Sequence, residues 1–74
     1  MKITIKLFAS LRRGRFKSEQ WDVPEGSTVE LVFDRLGLQP RDVSILRVNG
    51  RDVADGQVLG AGDIVTLFPP LGGG

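Results

Sequence analysis

The residues best placed to do chemistry in this 74-residue sequence stand together at its carboxyl end: Pro69, Pro70, Leu71, Gly72, Gly73 and Gly74. The reactive group there would be the α-carboxylate of Gly74, not a side chain. Proline fixes φ and has no N–H, so Pro69 and Pro70 cannot continue a strand ladder and should project the chain stiffly off its sheet. Gly72, Gly73 and Gly74 have no Cβ, so they form a thin, flexible tail that could thread a channel closed to any side chain. The bland alternative is a frayed end, as chain termini usually are.

Side-chain chemistry is sparse elsewhere. The sequence has no Cys, no His and no Tyr. That removes disulfides, a thiolate nucleophile, thiolate-bound metal and the commonest general base. Asp52, Asp55 and Asp63 do not match the spacing of a calcium loop, and no metal site is expected. Gly56, Gly60 and Gly62 lack the Lys-Ser/Thr ending of a phosphate loop and read as turn geometry. Arg12, Arg13, Arg15 and Lys17 form a basic run that could meet an acidic partner or simply be solvated. Ten Lys+Arg against nine Asp+Glu leave a net charge of +1. This near-balance argues against nucleic-acid and membrane-surface binding.

At this length the chain makes one small domain with a single modest core, too small for a large enclosed active site. With 41% hydrophobic and 26% charged residues its composition is that of a globular domain. The start, MKITIKLFASLRR, has no apolar run long enough for a signal peptide or membrane span. The expectation is a soluble, cytoplasmic protein.

The elements that must position the tail follow from periodicity. Ile3, Ile5 and Leu7 alternate with Lys2, Thr4 and Lys6, the period of a half-buried strand, and Phe8 falls on the polar face. A turn at Gly14 leads to a second alternating stretch, Glu19 to Val23, closed by Pro24-Glu25-Gly26. Trp21 there is core or sheet-edge cover. Ser27 and Glu30 fit a capping box, with Ser27 as N-cap. Val29, Val32, Phe33 and Leu36 form a helical stripe about ten residues long, and Gly37 is its natural stop. Gln39 to Asp42 makes a turn or helical connection. Ser44 to Val48 is a short strand, and Asn49-Gly50 a hairpin turn returning through Arg51 to Val53. Val58 and Leu59 are a small apolar anchor in the loop from Asp55 to Asp63. Ile64 to Phe68 is almost wholly apolar and reads as a central strand. Within it Leu67 shares parity with Val65 and faces the core, while Phe8 and Phe68 fit either core or an exposed apolar patch beside the tail.

The expected fold class is therefore α+β, a β-grasp arrangement of four or five strands in a mixed sheet packed on one main helix. Residues 1–68 would be the domain and 69–74 the tail.

ITIKLFASLR, PEGSTVELVFDRLG, RVNGRDV, GAGDIVTLFPP and the glycine end together resemble the small ubiquitin-like sulfur carriers MoaD and ThiS over nearly the whole chain. The first and last segments are closer to MoaD, the small subunit of molybdopterin synthase. Gly73 and Gly74 match the usual terminal pair; Gly72 is a third glycine.

The resemblance implies a protein-borne reagent rather than an enzyme. A MoeB/ThiF-type activating enzyme would dock the sheet through Phe8, Phe68, Pro69, Pro70 and Leu71 and adenylate Gly74 with ATP. No cofactor would be bound by the carrier itself. A sulfurtransferase persulfide would displace AMP to give a thiocarboxylate. A MoaE-like large subunit would then use its sulfur on a pterin precursor, in molybdenum or tungsten cofactor synthesis. The same tail also suits a sulfur carrier for thiamine thiazole or tRNA thiolation, and a ubiquitin-like modifier of lysines. A plain interaction domain with an inert tail is the remaining reading.

Overall fold

The computed structural model describes residues 1–71. Its strands are β1 (Lys2–Leu7), β2 (Ser18–Asp22), β3 (Ile45–Val48), β4 (Arg51–Asp52) and β5 (Ile64–Phe68), with one α-helix, α1 (Val29–Leu36). They form a single five-stranded sheet in the order β2-β1-β5-β3-β4. The last strand lies in the middle, as its continuous apolar run predicts. It is parallel to β1 and antiparallel to β3, so the sheet is mixed. With one helix on one face, this is the expected α+β β-grasp arrangement.

Alternation decides which face is buried. Ile5 pairs with Val65 and Leu7 with Leu67. Val48 pairs with Val65 and Leu46 with Leu67. Ile5, Leu7, Val65 and Leu67 are fully buried, and α1 contributes Val29, Val32 and Phe33 to the same cluster. Each such side chain contributes about 1.5–3 kcal/mol when withdrawn from water. The opposite face, carrying Thr4, Lys6, Ile45, Arg47, Thr66 and Phe68, has no helix over it and is open.

The helix stripe is observed, but its start differs from expectation. The N-cap is Thr28, without a side-chain cap, and the helix is 8 residues long. Ser27 does not cap it: its Oγ donates to the Pro24 carbonyl at 2.6 Å. The reason is tertiary. Thr28 forms a β-bridge with Val58, and the Val29 N–H donates to the Gln57 carbonyl at 3.0 Å. The loop through residues 57–59 thus satisfies a helix-end donor that a capping side chain would otherwise take. Its apolar anchor is Leu59, which is buried, whereas Val58 is 57% exposed.

The helix ends as expected. Gly37 has φ +71°, the left-handed conformation that glycine tolerates, and Leu38 N–H donates to the Phe33 carbonyl at 2.9 Å. Asn49 and Gly50 both have positive φ, +53° and +81°, as a two-residue hairpin turn requires. The stretch after Phe8 is not a plain loop. Residues Ala9–Arg12 form a 3-10 turn that buries Leu11. A second 3-10 turn covers Pro40–Asp42.

Candidate functional site

The parallel pair β1 and β5 end side by side, and the candidate site is built where they stop. Phe8 N–H donates to the Leu67 carbonyl at 3.2 Å, extending the ladder one residue past β1. On the other side Ser44 N–H donates to the Phe68 carbonyl at 2.8 Å. Both aromatic residues are therefore held by backbone bonds to neighbouring chain. Their rings stack, with centroids 4.4 Å apart and planes 13° from parallel. Both are half-buried, and Ile45, paired with Phe68 on the same face, is 37% exposed. The result is an apolar ridge on the open face beside the chain's exit, not a piece of the core. Leu67, one residue earlier, is fully buried, as its parity with Val65 requires.

Arg12 closes one side of this ridge. Its Nε donates to the Leu7 carbonyl at 2.7 Å, and its guanidinium lies 5.0 Å from the centre of the Phe8 ring. The carbonyl bond fixes the head group, and the ring face attracts the cation. Arg12 is thus a fitted part of the ridge rather than a freely solvated member of the basic run.

Pro69 and Pro70 are half-buried, so the chain stays against the body for two residues past β5. The expected stiff departure comes later, at Leu71, which is 100% exposed. Apolar pyrrolidine rings gain by keeping one side out of water. The structure therefore brings Phe8, Phe68, Pro69 and Pro70 to one end of the central strand pair and presents Leu71 beyond them. Gly72, Gly73 and Gly74 lie outside the described residues.

The other candidates have structural work. Asp63 accepts from Asn49 Nδ2 at 2.9 Å and from Gly60 N–H at 2.7 Å, which closes the last turn before β5. Arg47 pairs with Asp52 at 2.9 Å across the hairpin. Arg15 donates to the Leu36 and Leu11 carbonyls, each at 3.2 Å. Trp21 covers the β2 edge: its Nε1–H donates to Glu19 Oε1 at 2.9 Å, and Phe16 meets it edge-to-face at 6.1 Å. No metal-holding group of acidic residues and no helix long and apolar enough to cross a membrane occurs among the described residues.

Sequence reasoning missed Ile45, and it named Arg12 only as a member of the basic run, not as part of the ridge. Ile45 was legible by parity, since inward Leu46 and Val48 put Ile45 and Arg47 outward. Arg12 had no such signal, because its role depends on a turn that tertiary packing sets.

Comparison with known proteins adds to this geometry. A comparison with curated proteins yields no match. SAMP1 from Haloferax volcanii superposes with a TM-score of 0.78 at 30% identity, covering 100% of both chains. A Pyrococcus furiosus protein assigned as molybdopterin converting factor subunit 1 gives 0.77 at 28% identity, over 96% of this chain and 99% of its own. The Haloferax volcanii HVO 2177 protein gives 0.77 at 33% identity, over 100% of this chain and 87% of its own. The model of the ThiS family matches residues 5–74, nearly the whole chain and the glycine end with it. The chain belongs to the ThiS family, whose ubiquitin-like members carry sulfur for partner enzymes rather than catalysing reactions themselves.

Proposed function

We propose that this chain delivers sulfur from the α-carboxylate of Gly74, and that the sulfur goes to a pterin precursor in molybdopterin synthesis. The observation that carries the reading is the exit of the chain beside a fixed aromatic ridge. β5 ends at Phe68, the prolines hug the body, and Leu71 is wholly exposed. The segment 69–74 can span at most roughly 20 Å when extended, enough to enter a partner's active site while the body stays outside.

In the proposed cycle the Phe8–Phe68 ridge, with Pro69, Pro70 and Leu71, docks a MoeB/ThiF-type activating enzyme. One oxygen of the Gly74 carboxylate attacks the α-phosphorus of ATP and expels pyrophosphate. The resulting acyl-adenylate has a good leaving group where the carboxylate had none. A sulfurtransferase persulfide attacks the acyl carbon and expels AMP. A partner thiol then cleaves the S–S bond, leaving the thiocarboxylate and a disulfide. The thiocarboxylate sulfur is a stronger nucleophile than the original oxygen and bonds to the precursor within a MoaE-like large subunit. Water then cleaves the acyl–sulfur bond, leaving the sulfur on the precursor and restoring the Gly74 carboxylate. The carrier contributes shape and a terminus; its partners contribute the catalytic side chains. The matching Pyrococcus furiosus protein and the Phe-Pro-Pro approach to the tail favour molybdopterin over thiazole or tRNA as the destination.

Intact-mass spectrometry after incubation with a MoeB-type enzyme, ATP and a persulfide donor tests the carrier step. The expected result is a mass gain matching one oxygen replaced by sulfur, located at Gly74. An unmodified chain beside a demonstrably active cognate enzyme would overturn it. Restoration of molybdenum-enzyme activity in a MoaD-deficient strain tests the destination.

A second reading, attachment to lysines as a protein modifier, is favoured by the match to small archaeal modifier protein 1 over 95% of this chain. Its mark would be protein conjugates that vanish on removal of Gly74.

A further inference from the structure

A second surface lies on the other side of the sheet. Arg13, Arg15, Phe16, Glu19, Trp21 and Arg35 line a cleft of about 590 Å³ between the loop after the first 3-10 turn and the end of α1. Trp21 pairs with Ile3 and shares its helix-side face, whereas Phe68 stands on the open face. The cleft and the ridge can therefore be engaged at once.

Its chemistry is one-sided. Three arginines and one glutamate line it, and Glu19 already accepts the Trp21 indole N–H. None of the three arginines forms a salt bridge among the described residues. Two are held in place. Arg15 is fixed by two backbone carbonyls, and Arg35 lies 5.7 Å from the centre of the Trp21 ring while its Nη1 reaches the Asp22 carbonyl at 3.5 Å. A preset guanidinium loses little freedom when it binds a carboxylate, and it can do so through two parallel hydrogen bonds. Beside the arginines stands the Phe16–Trp21 pair, half-buried and packed edge-to-face.

We propose that this cleft docks a short acidic segment of a partner protein, carboxylates on Arg13, Arg15 and Arg35 and an apolar side chain on Phe16 and Trp21. The inference does not rest on the sulfur-carrier reading. Carboxylates on a peptide fit better than a nucleic acid. A chain of net charge +1 has few cations to spare for a phosphate backbone, which calls on about six to ten contacts for tight binding. The cleft is also shallow and wide-mouthed, the shape for a surface segment rather than for an enclosed small molecule.

Trp21 is the single tryptophan, so its fluorescence reports directly on the cleft. The test titrates the full chain with a synthetic peptide of alternating glutamate and leucine, and with a single-stranded oligonucleotide of equal charge. A saturable fluorescence change with the peptide is expected, and a weaker one with the oligonucleotide. Arg13→Glu should weaken peptide binding roughly tenfold. Arg13 makes no side-chain hydrogen bond or ion pair among the described residues, so this variant should melt like the parent. Arg51→Glu, on the distant hairpin, should leave binding unchanged. The proposal is overturned by a flat peptide titration, by tighter binding of the oligonucleotide, or by equal weakening from Arg51→Glu, which would show a response to net charge alone.

Discussion

Phe8 and Phe68, sixty residues apart in sequence, stack ring on ring 4.4 Å apart because Phe8 directly follows β1 and Phe68 ends β5, and these two strands run parallel. The first strand's exit thus braces the last strand's exit. The stacked pair lies on the open face, where it can serve its own pairing or contact with something else.

The pairing and the contact can be separated. Phe68→Ala removes the stack, worth about 0.5–1.5 kcal/mol beyond burial, and should lower the urea midpoint only modestly. The same variant should slow ATP-dependent pyrophosphate release by an activating enzyme far more than its lost stability explains. Unaltered kinetics would remove the ridge from the docking surface.

Leu67 shows the opposite behaviour one residue away. It is fully buried on the central strand. Leu67→Ala should cost about 2–5 kcal/mol, the usual range for truncating a buried leucine, and in a domain this small should leave much of the protein unfolded. Denaturant melts followed by circular dichroism give the comparison. Near-equal melts for Leu67→Ala and Phe68→Ala would contradict the assignment of faces.

Asn49 ties the hairpin to the start of β5. Its side chain donates to Asp63 Oδ1 and accepts from Ile64 N–H, both at 2.9 Å, while its own φ is +53°. Asn49→Gly keeps the backbone conformation accessible but deletes both side-chain bonds. A loss of about 1–2 kcal/mol is expected. Asn49→Asp retains the acceptor but sets a carboxylate against Asp63, and should be the worse of the two at neutral pH and low salt. Thermal melts of the pair read the order.

Gly37 is a conformational requirement rather than a packing one. A Cβ there would meet nothing within 4 Å, yet φ is +71°. Gly37→Ala should therefore cost roughly 1 kcal/mol through backbone strain alone, with Gly37→Asn milder. Equal stabilities for the two variants would argue against the left-handed cap.

The fold was largely readable from the sequence because its signals are local and redundant. Ile3, Ile5 and Leu7 alternate cleanly, Asn49-Gly50 admits few turn types, and Gly37 follows a complete helical stripe. What escaped reading was set by distant chain. Ser27 and Glu30 form a good capping box on paper, but the loop at residues 57–59 reaches the helix end first. Arg12 and Arg15 read as a charged loop, because nothing local says that carbonyls of Leu7, Leu11 and Leu36 will lie within their reach. The ridge was half legible: parity placed Leu67 inward, but Phe8 follows its strand and only the finished sheet brings it against Phe68.

The position of β5 has a consequence for synthesis of the chain. β5 joins the β1–β2 pair to the β3–β4 pair, and nothing else in the sheet does. A polypeptide that stops before residue 64 is left with two separate hairpins, each marginal in water. Such a product has no middle and should be cleared as an unfolded chain. Folding here doubles as an inspection: the body can close only around β5, so a partner that recognises the closed body recognises at the same time that the chain has been made at least as far as Phe68.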